Sequence, residues 1–160
     1  MIIIELFLLF LLISSFFIIY KKLKPYKGAG IALFIHNGDG YEILLGKRKY
    51  NPDKNKWSIP GGEVEERDKS FLDCAKREFQ EELSYNFDNI KTTLVTTVSI
   101  HIPKYRWKTF CFLTDDTFFY DANKIHEFSE LKYIPLNELK NYHLASFVKK
   151  EVKAFLKVMK

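Results

Sequence analysis

Apolar and polar positions along the chain fall into blocks that predict most of the elements. Residues 29–36 are mostly apolar, residues 37–40 read Asn-Gly-Asp-Gly, and residues 41–47 turn mostly apolar again. Two such runs around a turn rich in Asn, Asp and Gly predict a β-hairpin, because those residues accept the left-handed backbone that a tight turn requires. A polar loop over 51–56 leads into a short strand at 57–59, which Pro60-Gly61-Gly62 stops. Ser70 with Asp73 three residues on is a capping-box pattern, and Leu72, Ala75, Phe79 and Leu83 then recur at helical spacing. Residues 92–102 and 106–114 are rich in β-branched and aromatic side chains and predict two more strands, with a shorter one over 131–134. Over 144–159, Leu144, Phe147, Val148, Val152, Phe155 and Leu156 form one apolar stripe opposite a lysine-rich face, the pattern of a helix packed on a sheet. These elements make one α/β domain with a mixed or antiparallel sheet and at least two helices.

The first residues follow another pattern. Between residues 2 and 20, sixteen of nineteen positions are apolar, and Glu5, Ser14 and Ser15 are the exceptions. As a helix these residues span about 28 Å, close to the hydrocarbon thickness of a bilayer, so one transmembrane helix is expected. A buried core helix is the rival reading, but a segment apolar all round has no face to show water. Lys21, Lys22, Lys24 and Lys27 follow the run and no basic residue precedes it, the reverse of a cleaved secretory signal. Positive flanks stay on the cytoplasmic side. The expected organisation is therefore a membrane anchor and basic juxtamembrane segment over 1–27, in contact with lipid through residues 2–27. A folded domain over 28–160 would face the cytoplasm on a single-pass membrane protein.

Setting the anchor apart changes the meaning of the charge. The whole chain carries +5, but from residue 28 onward 21 Lys and Arg oppose 19 Asp and Glu, leaving +2. A domain so nearly neutral does not suit an extended nucleic-acid partner, whose phosphates need a basic groove. Cys74 and Cys111 are too few for a disulfide framework and too far apart for a zinc knuckle, and read as small core residues. The four histidines, His36, His101, His126 and His143, show no ligand spacing. Gly40 to Gly46 encloses five residues and Lys47 precedes Arg48, which excludes a P-loop; Asp53-Lys54-Asn55 lacks the glycine and closing glutamate of a calcium loop.

The chemistry concentrates on the helix opened by Ser70. Glu78, Glu81 and Glu82 stand at i, i+3 and i+4, within an arc of about 100°. Like-charged pairs at this spacing cost about 0.2–0.5 kcal/mol each, and a divalent cation would offset that repulsion. Mg²⁺ takes carboxylate oxygens together with waters and phosphates, so the trio is a candidate metal platform; a solvated acidic face is the plainer explanation.

Arg77 stands directly before Glu78, and Trp57-Ser58-Ile59-Pro60-Gly61-Gly62-Glu63-Val64-Glu65 lies upstream. Here the chain resembles the Nudix hydrolases, whose signature is Gly-x5-Glu-x7-Arg-Glu-(aliphatic or aromatic)-x-Glu-Glu-x-Gly. Arg77-Glu78-Phe79-Gln80-Glu81-Glu82 fits the second half of that box. Leu44-Leu45-Gly46-Lys47-Arg48 and Tyr133-Ile134-Pro135-Leu136-Asn137-Glu138-Leu139 also look like the family, and the likeness runs from Gly28 to about Lys157. Two positions depart from the box. Six residues after Gly62 stands Asp68 and eight before Arg77 stands Lys69, so the loop is one residue longer and no glutamate is in register. The second departure is Ser84 in place of the closing glycine, at a helix end that usually turns left-handed.

The resemblance implies a Nudix-like α/β/α sandwich with a mixed sheet, preceded here by the transmembrane helix. It implies hydrolysis of a diphosphate linkage in a nucleoside diphosphate derivative, such as a nucleoside triphosphate, a dinucleotide or a nucleotide sugar, with Mg²⁺ or Mn²⁺ as cofactor. Glu78, Glu81 and Glu82 are the expected metal ligands; Arg77 and Glu78 serve catalysis, and the general base is either Glu81 or Glu127 on a later loop. Lys47, Arg48, Gly61 and Gly62 are the expected substrate contacts, and the partner is a small nucleotide. Core or cleft packing is the favoured role of Trp57, Tyr105, Trp107 and Phe110. The alternative is a catalytically weak or inactive Nudix-fold module that binds a nucleotide without cleaving it, suggested by the displaced glutamate. Oligomeric state is left open by the sequence.

Overall fold

The apolar run that begins the folded domain has no polar face, and the fold buries both of its sides. In the computed structural model, which describes residues 6, 7, 9–16, 25–115 and 125–160, this run is β1 (Tyr26–His36) at the heart of a seven-stranded sheet. It pairs antiparallel with β2 (Tyr41–Arg48) through the expected hairpin, and parallel with β6 (Tyr105–Thr114). The sheet runs β3 (Trp57–Ser58), β2, β1, β6, β5 (Thr92–Ile102), with β4 (Gly61–Glu63) on β1 and β7 (Phe128–Pro135) on β2. Its one parallel pairing among antiparallel ones makes it mixed.

One helix covers each face. Alternate residues of β1 divide between them: Ala29, Ile31 and Leu33 join Phe79 and Leu83 of α1 (Phe71–Leu83), while Ala32 and Phe34 join Val148, Val152 and Phe155 of α2 (Val148–Val158). The Phe34 and Phe155 rings stack with centroids 3.7 Å apart. Burying each of the larger of these side chains stabilises the fold by about 1.5–3 kcal/mol, so the two faces together hold the expected α/β/α sandwich.

The ends of α1 follow the sequence closely. Ser70 caps it, its hydroxyl accepting from the Asp73 N–H at 3.1 Å, and Ser84 closes it at φ 52°, ψ 34°, the left-handed conformation that the family's glycine would take without strain. Cys74 and Cys111 are buried free thiols, as expected of core residues.

Three expectations need correction. Gly61 and Gly62 do not merely stop a strand; they form β4 against β1, and a Cβ on Gly61 would lie 2.5 Å from the Ala29 carbonyl oxygen. The last helix begins at Val148 rather than near residue 144. Before it the chain is tied to β3, with Trp57 N–H donating to His143 O and Ala145 N–H to Trp57 O, and Phe147 turns left-handed at φ 77°. β7 reaches back to Phe128, because its pairing with β2 extends to Arg48 across a bulge at Lys47/Arg48. The transmembrane helix expected over 2–20 lies partly outside the described residues. Residues 9–16 are helical and mostly exposed, and among the described residues no helix is long and apolar enough to cross a membrane.

Candidate active site

Arg77 organises the acidic second half of α1 and the loop before it. Its guanidinium grips Asp68 with two bonds, from Nε and Nη2, each 3.0 Å, and reaches Glu78 at 2.8 Å, Glu81 at 2.9 Å and the Glu63 carbonyl at 2.8 Å. Asp68 thus stands where a carboxylate partner is needed, although the loop is out of register with the box. Only 12% of the Arg77 side chain and 3% of that of Asp68 meet solvent. Arg77's bonds, with the Glu65 N–H adding to them, hold the Asp68 carboxyl below the usual range despite its burial, and Asp68 holds Arg77 firmly protonated.

The three glutamates of the helix do not all line one cavity. Glu81 is half exposed and taken by two arginines, Arg77 and, at 2.8 Å, Arg67 from the preceding loop. Glu78 and Glu82 face a cavity of about 360 Å³, and Glu127, from the segment before β7, lines the same cavity. Glu82 is buried and accepts from the Gly61 N–H at 2.8 Å. Burial drives its carboxyl well above the ordinary range and the Glu127 charge adds to this, against the pull of Gly61. Burial also raises Glu78, with Glu81 and Glu127 adding, while Arg77 opposes. Glycine at 62 leaves room for this arrangement: a Cβ there would fall 2.5 Å from the Glu78 carboxyl.

Of the expected substrate contacts, Arg48, Gly61 and Gly62 line this cavity, but Lys47 is not among its lining residues. Tyr105 and Trp107 form part of its wall, whereas Trp57 and Phe110 pack in the two cores. Glu151 and Asp53 also line it, and neither stood out as a site residue in the sequence. A signal for Glu151 exists, since it interrupts the apolar stripe of the last helix.

Among the described residues the cavity wall therefore carries five acidic side chains, Asp53 (paired with Lys56 at 2.6 Å), Glu78, Glu82, Glu127 and Glu151, and one basic, Arg48. Its oxygens are the hard donors that a divalent cation prefers, and the raised carboxyls of Glu78 and Glu82 are those a cation would relieve. Among the described residues no three His, Cys, Asp or Glu side chains converge into a ready cage. Mg²⁺ does not require one, because it keeps waters and substrate phosphates in its shell.

The sequence profile of the NUDIX domain matches residues 26–156. The chain belongs to that family. Membership supports a pyrophosphohydrolase that acts on nucleotide diphosphate linkages, a class that uses divalent metal ions. Solved Nudix structures share the fold. The NUDIX domain of Shewanella oneidensis NrtR complexed with ADP ribose is 20% identical over 84% of this chain and 88% of its own, with a TM-score of 0.63. A C. elegans Ap4A hydrolase binary complex is 16% identical over 82% and 97%, with a TM-score of 0.67. RenU, a Nudix hydrolase from M. smegmatis, is 15% identical over 85% and 86%, with a TM-score of 0.68. This Nudix chain departs from the box at Asp68 and Ser84; in the structure Asp68 is the buried partner of Arg77 and Ser84 closes the helix in the left-handed conformation.

Proposed function

We propose that this Nudix domain hydrolyses a diphosphate linkage in a small nucleotide, with Mg²⁺ or Mn²⁺ held by Glu78 and Glu82 and with Glu127 beside them. The observation that carries the reading is the acidic wall itself: a phosphate chain cannot enter beside Glu78, Glu82 and Glu127 unless cations neutralise it. When bound there, the cation would neutralise charge on the phosphates and make the attacking water easier to deprotonate. Arg48 binds phosphate oxygens at the rim, the Gly61–Gly62 backbone lets the phosphates approach closely, and Glu127 takes the proton of the attacking water. Arg77 is a positioning residue that holds Glu78 in place. Glu81, expected as a metal ligand and possible base, serves the arginine cluster in this reading.

Nudix neighbours with ADP-ribose and Ap4A in their names support a nucleoside diphosphate derivative as substrate. The test incubates the chain with Mg²⁺ or Mn²⁺ and a panel of nucleoside triphosphates, dinucleotides and nucleotide sugars, and follows phosphate and monophosphate release. Turnover that Glu82→Gln reduces at least a hundredfold supports the reading; metal-independent turnover or none on any member overturns it. The capture of Glu81 by arginines favours the second reading, a nucleotide-binding module, which predicts saturable binding without turnover.

The membrane tether is proposed on the apolar run over 2–20, the exposed Leu6, Phe7, Phe10, Leu12 and Phe16, and the lysines that follow. On this reading the Nudix domain faces the cytoplasm. The chain should sediment with membranes and resist carbonate extraction, and protease should reach the domain only from the cytoplasmic side. Extraction by carbonate or protection of the domain refutes it.

A further inference from the structure

Glu151 has no part in the metal chemistry, yet it is almost fully buried in the apolar stripe of α2. One of its oxygens is committed. The Trp107 Nε1–H donates to Thr109 Oγ1 at 2.8 Å, and an indole nitrogen can only donate, so the Thr109 hydroxyl has its own proton left to give to Glu151 Oε1. The other oxygen, Oε2, is buried without a hydrogen-bond partner, and so is Ser58 Oγ. Both residues line the cavity that holds Glu78 and Glu82, and Tyr105, Trp107, Phe147 and Ile59 supply apolar wall beside them. Buried polar atoms are normally satisfied, so two unpaired ones on residues that line one ligand-sized cavity point to a ligand that brings their partners.

Resting on the nucleotide reading above, we infer that Glu151 Oε2, oriented by the Trp107–Thr109 relay and joined by Ser58 Oγ, reads the polar edge of the nucleobase. The phosphates then lie at the acidic wall of Glu78 and Glu82, and the base lies against the aromatic wall. A planar heteroaromatic ring meets both demands of this end of the cavity, with apolar faces for the side walls and N–H or C=O groups for the two oxygens. Burial pushes the Glu151 carboxyl up to about 7, so near neutral pH Oε2 can present either an O–H or a lone pair.

The experiment measures binding of the four non-hydrolysable α,β-methylene nucleoside triphosphates and of base-free methylenediphosphonate to the full chain by calorimetry. Wild type, Glu151→Gln, Glu151→Leu and Ser58→Ala are compared, with thermal melts to confirm folding. Wild type should rank the four bases and prefer them all over the base-free ligand. Glu151→Leu should reduce the ratio of base-bearing to base-free affinity by about tenfold or more, as loss of a buried hydrogen bond does. Glu151→Gln, similar in size and folded even if the leucine variant is not, should change which base ranks first. An unchanged ratio and ranking in Glu151→Gln and Ser58→Ala overturns the inference. Turnover without base discrimination in wild type sinks it and leaves the hydrolase reading standing. Base discrimination without turnover does the opposite, and binding of no nucleotide at all removes both.

Discussion

Replacing Asp68 with Asn tests whether the out-of-register loop supplies the carboxylate that Arg77 needs. The change keeps the size of a side chain that is 3% exposed, and removes the charge from two bonds of 3.0 Å to the guanidinium. Breaking a buried ion pair costs about 3–5 kcal/mol when a charge is stranded. Arg77 keeps Glu78 and Glu81, so the low end applies, a loss of about 3 kcal/mol, or a fall in Tm of roughly 10 °C for a domain of this size. Asp68 titrates below its ordinary value when folded, so its contribution is fully present above the unfolded value of 3.8 and is lost as pH falls through the lower folded one. Urea unfolding of both proteins between pH 3 and 7 should show a constant gap above pH 5 that closes at the acid end. A variant within 0.5 kcal/mol of wild type at pH 7, or a gap that widens on acidification, refutes the assignment of Asp68 as the partner of Arg77.

Glu151→Gln should stabilise the protein above neutral pH. The folded carboxyl titrates at about 7 against 4.5 for the free side chain, so the native state holds a proton that the unfolded chain has released, and wild type loses stability as pH rises across that window. At pH 8 the variant should be more stable by roughly 3 kcal/mol and at pH 4 by little, measured by urea unfolding; Glu78 and Glu82 titrate in both proteins and cancel in the difference. Ser84→Gly should raise stability by up to about 1 kcal/mol, read as an increase in Tm, because Ser84 adopts φ 52°. Gly62→Ala should cut turnover and Mn²⁺ affinity at least tenfold while leaving the fold intact by circular dichroism, since the new Cβ would displace the Glu78 carboxyl it meets at 2.5 Å.

Local pattern made the strands and helices legible, and tertiary pairing hid the remainder. The hairpin turn at 37–40, the strand over 92–102 and the Ser70 cap are set by nearest neighbours in sequence, and the structure places them as read. β4 was not legible, because Gly61–Glu63 has neither apolar alternation nor β-branched residues and exists only through the close approach that glycine permits to β1. The helical wheel placed Glu78, Glu81 and Glu82 on one arc correctly, but it could not show that Arg67, a loop residue fourteen positions before Glu81, would take Glu81 away. Glu151 was legible only as an anomaly: a charged residue on an apolar stripe has to be paired or used, and its partner Thr109 lies on a strand 42 residues earlier.

The displaced box residue shows how a sequence can leave a motif and keep its physics. The loop before α1 carries one residue more than the signature, and aspartate is one methylene shorter than glutamate. A turn takes up the extra residue: the Asp68 N–H donates to the Glu65 carbonyl at 3.1 Å, and the Glu65 N–H returns a bond to Asp68 Oδ2 at 2.8 Å. That turn carries the shorter side chain to Arg77, so backbone replaces side-chain reach. The charge arithmetic of the site follows from it. Arg77 and Arg67 spend their positive charge on Asp68, Glu65 and Glu81 and on one oxygen of Glu78, outside the cavity or at its edge. Among the described residues nothing basic except Arg48 is left on the cavity wall to neutralise Glu82 and Glu127. In the proposed reading the same arginine cluster that absorbs Glu81 leaves the other carboxylates to a cation, and a phosphate ligand would have to arrive with it.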